Sequence, residues 1–413
     1  MSNKNLQTLK GFRDFLPPKM AVRNEVIKRL RNVFEKYGFE ELQTPTLEYQ
    51  EVLLGKYGEE AEKLMYLFKD QGERNVGMKY DLTVPLARVA STYSDLPMPF
   101  KRYQIQPVWR AENTQKGRYR EVYQCDVDTI GSRSPLSDAE IIAVINDSLK
   151  SLKFENYKIK INSRTVLFSL MERSEIKNNM WLSVIQTIDK LDKKSKEEVE
   201  KELIIKKISQ KQIINLFNNL KKAAPDRYLG EVMAISKSLG IDERLKFEPT
   251  ISRGLDYYTG PIFESIVEQP KIGSITGGGR YDKLLRSLGG PDLPAVGTTI
   301  GLDRVCDVIE ELNLWPNLNK TTTKVLVTIF SEKTFESSIK VSDLLRKSDI
   351  NTEVYPDQET KLEKQLKYAD KREIPWVVII GPEEVIRKTV VLKNMRDKKQ
   401  EEIPLSALTT RII

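Results

Sequence analysis

FKRYQIQPVWRAENTQKGRYREVYQCDVDTIG, residues Phe100 to Gly131, decides the fold. Alternation with a period of two puts Tyr103, Ile105 and Trp109 on one face of the first arm and Gln104, Gln106 and Arg110 on the other. In the second arm Tyr123, Cys125 and Val127 share a face, opposite Gln124, Asp126 and Asp128. Two such arms joined by the polar, basic stretch AENTQKGR predict an antiparallel hairpin. Its polar faces converge on a guanidinium, an amide and two carboxylates. Taken alone, the same pattern also fits a strand pair with one solvated face.

Upstream of this hairpin, Val22, Val26, Ile27, Leu30, Val33 and Phe34 recur at helical spacing between Met20 and Gly38, predicting an amphipathic helix that stops at the glycine. GFEELQTPTLE (Gly38 to Glu48) follows as an extended stretch, because Pro45 cannot continue a helix. Downstream, residues 164 to about 245 turn to Lys, Glu, Asn, Ile and Leu and read as an inserted helical subdomain, about 165–245. Its charge run fits a solvated helix face as well as an RNA contact. Glycines and strand patterns return from Phe247 to Gly301, as though one sheet resumes after the insertion. NLWPNLNKTTT (Asn313 to Thr323) is a polar linker. Beyond it, strand and helix patterns alternate (Val325 to Phe330, Ile339 to Leu345, Asn351 to Tyr355, a helix from about Glu359, Trp376 to Ile380, Thr389 to Leu392), predicting a small α/β domain with a largely parallel sheet. The expected organisation is one domain over 1–320 and a second over 324–413.

Composition narrows the chemistry. With 413 residues, 39% hydrophobic and 31% charged, the chain fits a globular protein of several domains. No apolar run approaches the ~20 residues of a membrane span, and MSNKNLQTLKGFRDFLPP has no secretory pattern, so a cytoplasmic location is expected. Two cysteines, Cys125 and Cys306, give neither a disulfide framework nor metal-ligand spacing, and no metal site is expected. The net charge of +8 favours polyanionic partners. There is no histidine in the chain. That removes imidazole triads, His-ligated metals and His proton shuttles together, leaving arginine, carboxylate and hydroxyl groups and bound metal to do the chemistry.

Three further segments carry such groups. RGLDYYTG (Arg253 to Gly260) sets an arginine beside a glycine, with two tyrosine hydroxyls close by; a salt-bridged turn is the plainer reading. ITGGGRYDKLL (Ile275 to Leu285) puts three glycines between a strand and a helix, which suits close ligand approach, without the spacing of a dinucleotide or P-loop site. AVGTTIGLDRV (Ala295 to Val305) switches at Gly301 from strand to helix, so that Arg304 in the first turn faces either phosphate or solvent.

In this order the segments resemble the class II aminoacyl-tRNA synthetases and, among them, the histidyl family. GFEELQTPTLE is similar to motif 1, which forms the dimer interface in that family; FKRYQIQPVWRAENTQKGRYREVYQCDVD to motif 2; GTTIGLDRV to motif 3; RGLDYYTG to the histidine-binding signature; and MKYDLT (Met78 to Thr83) to a further substrate-binding segment. The resemblance runs from Gly11 to the C-terminus. It implies an α+β fold, an antiparallel sheet flanked by helices and interrupted by the helical insertion, with a C-terminal α/β anticodon-binding domain. It also implies a ligase that activates L-histidine with ATP, accompanied by Mg2+, and transfers it to the 3′ end of tRNA(His), acting as a homodimer.

By position, Arg110 and Arg253 are then the catalytic arginines, steadying the ATP α-phosphate against the substrate carboxylate. Glu112 contacts adenine, and Arg304 the far end of the triphosphate. Asp81, Leu82, Thr83 and Gln124 surround the α-amino group, while Asp128, Tyr257, Tyr258 and Tyr281 line the imidazole pocket. Gln115, Lys116 and Arg118 in the motif 2 loop meet the extra 5′ guanosine of the tRNA. Ala111 and Tyr123 stand where relatives carry histidine, and none of these roles requires a protein imidazole. Two rival readings keep the fold: a non-catalytic paralogue that serves as regulatory subunit of ATP phosphoribosyltransferase, and a synthetase-like interaction protein. The complete RGLDYYTG, Arg110, Arg304 and the C-terminal domain argue against both.

Overall fold

Alternation over ten residues on each arm has its expected outcome. Phe100–Trp109 and Glu121–Ile130 lie antiparallel, with Arg102 opposite Asp128, Gln104 opposite Asp126 and Gln106 opposite Gln124. The computed structural model describes residues 6–56, 62–114, 117–252 and 257–412. Two units are distinct: Met1–Asp14 with Glu25–Trp315, and Phe15–Asn24 with Pro316–Ile413.

In the first unit the strands are β1 (Glu40–Glu41), β2 (Leu47–Tyr49), β3 (Leu67–Lys69), β4 (Asn75–Met78), β5 (Phe100–Trp109), β6 (Glu121–Ile130), β7 (Tyr157–Ser163), β8 (Leu245–Phe247), β9 (Pro261–Val267), β10 (Thr276–Arg280) and β11 (Ala295–Gly301). Eight of them form one sheet in the order β1-β5-β6-β11-β10-β9-β7-β8, and β2, β4 and β3 form a small second one. Only the pairs at the two ends, β1 with β5 and β7 with β8, are parallel. The inner pairings are antiparallel. This is an α+β fold in which β6 and β11, far apart in sequence, become neighbours.

The glycines of ITGGGRY, which the sequence reading set between a strand and a helix, are themselves part of a strand. They lie inside β10, which is buried throughout. The reason is crowding between strands: a Cβ on Gly278 would sit 2.1 Å from the carbonyl oxygen of Gly297, and one on Gly279 2.6 Å from that of Pro261. At the end of β10, Arg280 pairs with the buried Asp138 in the first turn of helix Pro135–Ser151 and donates to the Ser132 carbonyl at 3.0 Å. Tyr228 donates to the same carboxylate at 2.8 Å. That side chain belongs to helix Arg227–Ser238, so this ion pair anchors the helical segment to the sheet.

Between β7 and β8 stand five helices, Arg164–Arg173, Trp181–Ile188, Lys196–Ile205, Gln210–Lys221 and Arg227–Ser238. Ser195 with Glu198, and Ser209 with Gln212, close reciprocal capping boxes that satisfy the first N–H groups of two of them. Val184, Ile188, Val199, Leu203 and Leu216 are buried, while Lys193, Lys194, Lys196, Glu197 and Glu198 are exposed.

In the second unit β12 (Val325–Val327), β13 (Thr352–Val354), β14 (Trp376–Ile379), β15 (Thr389–Asn394) and β16 (Gln400–Pro404) run in the order β13-β12-β14-β15-β16. The expected largely parallel sheet holds for β13, β12 and β14 alone; β15 and β16 are antiparallel. Strand β16 escaped the sequence reading because QEEIP is an edge strand with no buried residue and hence no alternation. One face of the sheet packs Val325, Val327, Val378 and Leu392 against Leu345 and Leu408, and the other packs Leu326 and Val377 against Ala369 and Ile374.

The glycines give a paired stability test. Gly278→Ala should lower the stability of the first unit by about 1–3 kcal/mol in urea unfolding, because neighbouring backbone cannot yield. Gly230→Ala, inside helix Arg227–Ser238 with nothing within 4 Å of the added carbon, should raise it by about 0.5–1 kcal/mol.

Candidate active site

A cavity of about 240 Å³ opens on the polar face of the sheet. Its floor is backbone. Gly277 on β10 and Gly297 and Gly301 on β11 share that face, because Gly297 pairs with Asp128, Thr299 with Asp126 and Gly301 with Gln124. A Cβ on Gly297 would fall 1.8 Å from Asp128 Oδ1, so glycine is required for the carboxylate to lie where it does.

The wall on β6 consists of Gln124, Asp126 and Asp128, all buried. Beneath them Arg102 of β5 is wholly buried, with its guanidinium 2.9 Å from Asp128 Oδ2 and 3.3 Å from the Leu82 carbonyl. Tyr281 donates its hydroxyl to Asp128 Oδ1. Burial drives both β6 carboxyls upward in pKa. Arg102 opposes that shift, and repulsion from Asp81 and between the two carboxyls reinforces it, pushing Asp126 up to about 8.

Opposite this wall are three tyrosines. The rings of Tyr257 and Tyr258 lie 4.9 Å apart, and those of Tyr257 and Tyr281 meet edge-on at 5.8 Å. Asp81 precedes helix Thr83–Thr92, where its Oδ1 accepts the N–H groups of Thr83 at 3.1 Å and Val84 at 3.0 Å; Tyr257 donates to its Oδ2 at 3.3 Å. Thr83 lines the cavity. Leu82 does not: its side chain belongs to the core, and it contributes its carbonyl to Arg102.

Cationic groups ring the mouth. Arg110, just past β5, donates from Nε to the Tyr80 carbonyl at 3.0 Å and lies over the Tyr80 ring. Glu112 pairs with Arg118 Nε at 2.6 Å, so Arg118, read from sequence as a tRNA-loop residue, also lines the cavity. On the far side, helix Leu302–Glu311 carries Arg304 in its first turn, tethered to the Gly117 carbonyl at 3.2 Å and to the Ser274 carbonyl at 2.5 Å. Arg253, Gln115 and Lys116 lie outside the described residues.

Three structural participants were not picked out from sequence. Arg102 sits on the same alternating face as Gln104 and Gln106, a signal present in FKRYQIQ but outweighed by the residues nearer the loop. Asp126 was placed on the polar face without a role. Asp303 has no local signal: its Oδ2 accepts the Tyr123 N–H at 3.0 Å and its Oδ1 the Arg13 guanidinium at 2.7 Å, both distant in sequence. Among the described residues no three His, Cys, Asp or Glu side chains group as metal ligands.

The arrangement unites an anion-binding mouth, an aromatic wall and buried carboxylates, a set suited to holding a phosphorylated nucleotide beside a small cationic ligand. Comparison with known proteins agrees. A family model described as histidyl-tRNA synthetase matches residues 11–305, and one described as an anticodon binding domain matches 324–413. A protein from Gloeobacter violaceus named histidine–tRNA ligase is 38% identical over 97% of each chain. One of the same name from Korarchaeum cryptofilum is 38% identical over 95% of this chain and 96% of its own. The crystal structure of histidyl-tRNA synthetase from Nostoc sp. PCC 7120 superposes with a TM-score of 0.85 at 29% identity over 99% of both chains.

Removing Arg102 tests the electrostatic base of the site. Arg102→Met should cost about 3–5 kcal/mol in chemical unfolding, because it leaves a buried carboxylate without its counter-charge. Adding Asp128→Asn to that variant should recover part of the loss.

Proposed function

The chain belongs to the histidyl-tRNA synthetase family, and on that footing we propose how its cavity serves the two steps of a histidine–tRNA ligase. The protein activates L-histidine with ATP, giving histidyl-adenylate and pyrophosphate, and charges tRNA with the histidine. The observation that carries the residue assignments is the meeting, in one cavity, of Arg110, Glu112 and Arg304 with Asp81, Gln124, Asp128 and the three tyrosines.

Histidine enters with its α-ammonium toward Asp81, Thr83 and Gln124 and its ring toward Asp128, Tyr257, Tyr258 and Tyr281. Buried polar groups left unpaired by any other side chain give the selectivity. ATP binds as its magnesium complex, the metal held mainly on the phosphates. Adenine lies against Glu112, the α-phosphate against Arg110 and the far phosphates against Arg304. The histidine carboxylate attacks the α-phosphorus in line; a P–O bond forms to the substrate as the bond to pyrophosphate breaks. Arg110, held by Tyr80, and Arg253 offset the charge that builds on the α-phosphate oxygens. The terminal ribose hydroxyl of the tRNA then attacks the adenylate carbonyl and expels AMP.

Residues 1–320, with their insertion at about 165–245, act as the catalytic domain, and 324–413 as the anticodon-binding domain of the cognate tRNA(His). The hairpin loop with Gln115, Lys116 and Arg118 meets the tRNA 5′ end, and Arg118, paired with Glu112, stands at the seam between RNA and nucleotide. A homodimer is supported by an exposed apolar face: Leu47, Tyr49 and Tyr93 line one groove, flanked by the exposed Leu67 and Phe68 of β3. Two buried cysteines suit the reducing cytoplasm, where the substrates also reside, and no described helix is long and apolar enough to cross a membrane. A regulatory histidine sensor would have no use for the arginines at the nucleotide end of the cavity or for an anticodon-binding domain.

Pyrophosphate exchange into ATP should depend on histidine alone among the amino acids, and Arg110→Ala should lower it by about 10²-fold or more. Histidine binding without exchange would favour the regulatory reading. Affinity for tRNA should fall steeply as salt is raised, since phosphate contacts release counterions; a flat salt response would remove the proposed RNA surface.

A further inference from the structure

Asp126 has no part in the scheme above, yet it lies at the centre of the pocket wall. Only 2% of its surface is exposed, and it lines the cavity between Gln124 and Asp128. One of its oxygens is bonded to the Thr299 hydroxyl, while Oδ1 is buried with no hydrogen-bond partner. The neighbouring acceptors share that condition. Gln124 donates to Thr299 at 3.0 Å and Gln104, directly opposite Asp126, donates to Thr44 at 2.8 Å, but the Oε1 atoms of both glutamines are buried and unpartnered. Native interiors rarely leave acceptors in this state, and of the three Asp126 and Gln124 line the cavity, where a ligand can supply the missing donors.

The other carboxylates of the cavity are already engaged: Asp81 with backbone N–H groups and Tyr257, Glu112 with Arg118, Asp303 with Tyr123 and Arg13, and Asp128 with Tyr281 and Arg102. We propose that Asp126 is a second recognition carboxyl for the bound amino acid, whose free oxygen receives an N–H of histidine and so helps to determine specificity. This rests on reading the cavity as the histidine site.

The charges facing Asp126 are Arg102 from β5, Asp128 on its own strand, Asp81 from the turn before helix Thr83–Thr92, and Lys79 next to β4; Tyr281 reaches it only through Asp128. Burial and the two carboxylates outweigh Arg102, so Asp126 is neutral below about 8 and ionised above it. A substrate N–H favours the ionised form. The contribution of Asp126 to histidine affinity is therefore fully expressed above that value and shrinks as pH falls below it.

Histidine and ATP binding to the full-length protein, measured by calorimetry on either side of that pH for wild type, Asp126→Asn and Thr299→Val, decide the matter. Taking the ratio of variant to wild-type affinity cancels the titration of free histidine. Asp126→Asn should weaken histidine by about 10- to 100-fold at the higher pH and clearly less at the lower, with ATP affinity unchanged. Thr299→Val, which frees the other carboxyl oxygen, should weaken it less, again sparing ATP; it supplies the answer if the asparagine variant does not fold. Equal histidine affinity in wild type and both variants, or parallel loss of histidine and ATP, overturns the proposal. Failure of the wild type to bind histidine would instead overturn the reading of the site, and the proposal with it.

Discussion

A guanidinium buried under a row of carboxylates is the constraint on which the catalytic unit depends. Arg102 has no exposed surface, yet it faces Asp128, lies within electrostatic reach of Asp126 and takes the Leu82 carbonyl from the turn that carries Asp81. Without that charge, burial and mutual repulsion would drive the carboxyls gathered at one end of the cavity still further toward their neutral forms, and the pocket would attract a cation less. The cost of burying Arg102 is met by its register: opposite Asp128 on the neighbouring strand, where a cross-strand pair brings the groups together. A slip of one residue would turn the entire polar column into the apolar core.

The sheet order converts this local pair into a site. Antiparallel pairing of β6 with β11, and of β11 with β10, lays glycine backbone beside the carboxylate column, so a ligand rests on peptide groups instead of side chains. Asp303, at the start of the helix after β11, clamps Tyr123 and Arg13, and Arg304 one residue on bridges to Gly117 and Ser274. The arginine-lined mouth and the carboxylate wall of the cavity are thus both fixed at β11.

What the sequence made legible follows from the range of the forces involved. Period-two alternation in Phe100–Gly131 and the helix-forming composition of the insertion are local, and both describe the elements that form. Asp303 and Thr299 act through strands more than a hundred residues away, and nothing adjacent to them announces it. TGGGR was read as a place of close approach between a strand and a helix and not as a strand, because glycine carries no alternation; here the absence of Cβ lets three strands crowd until an added Cβ would meet carbonyl oxygens at 2.1 and 2.6 Å. QEEIP lacked any signal, since an edge strand that buries nothing carries no pattern.

A chain without a single histidine has surrendered the side chain that normally titrates near neutrality. Its pocket regains that property by burial. Lys79, fully enclosed, donates to the Thr44 carbonyl at 3.1 Å and to Gln106 at 2.8 Å, and burial brings it down to about 8 while Asp126 rises to about 8. The two groups influence each other electrostatically, and as pH rises through this range one loses a positive charge while the other gains a negative one, so both changes make the cavity more attractive to a cation. Lys79 is thereby tied directly to Thr44 of the GFEELQTPTLE segment, which also accepts from Gln104 and runs on into the exposed apolar groove. Asp126 acts on this arrangement through its charge alone, since its own hydrogen bond runs to Thr299 on β11, whereas Lys79 reaches the segment through a hydrogen bond.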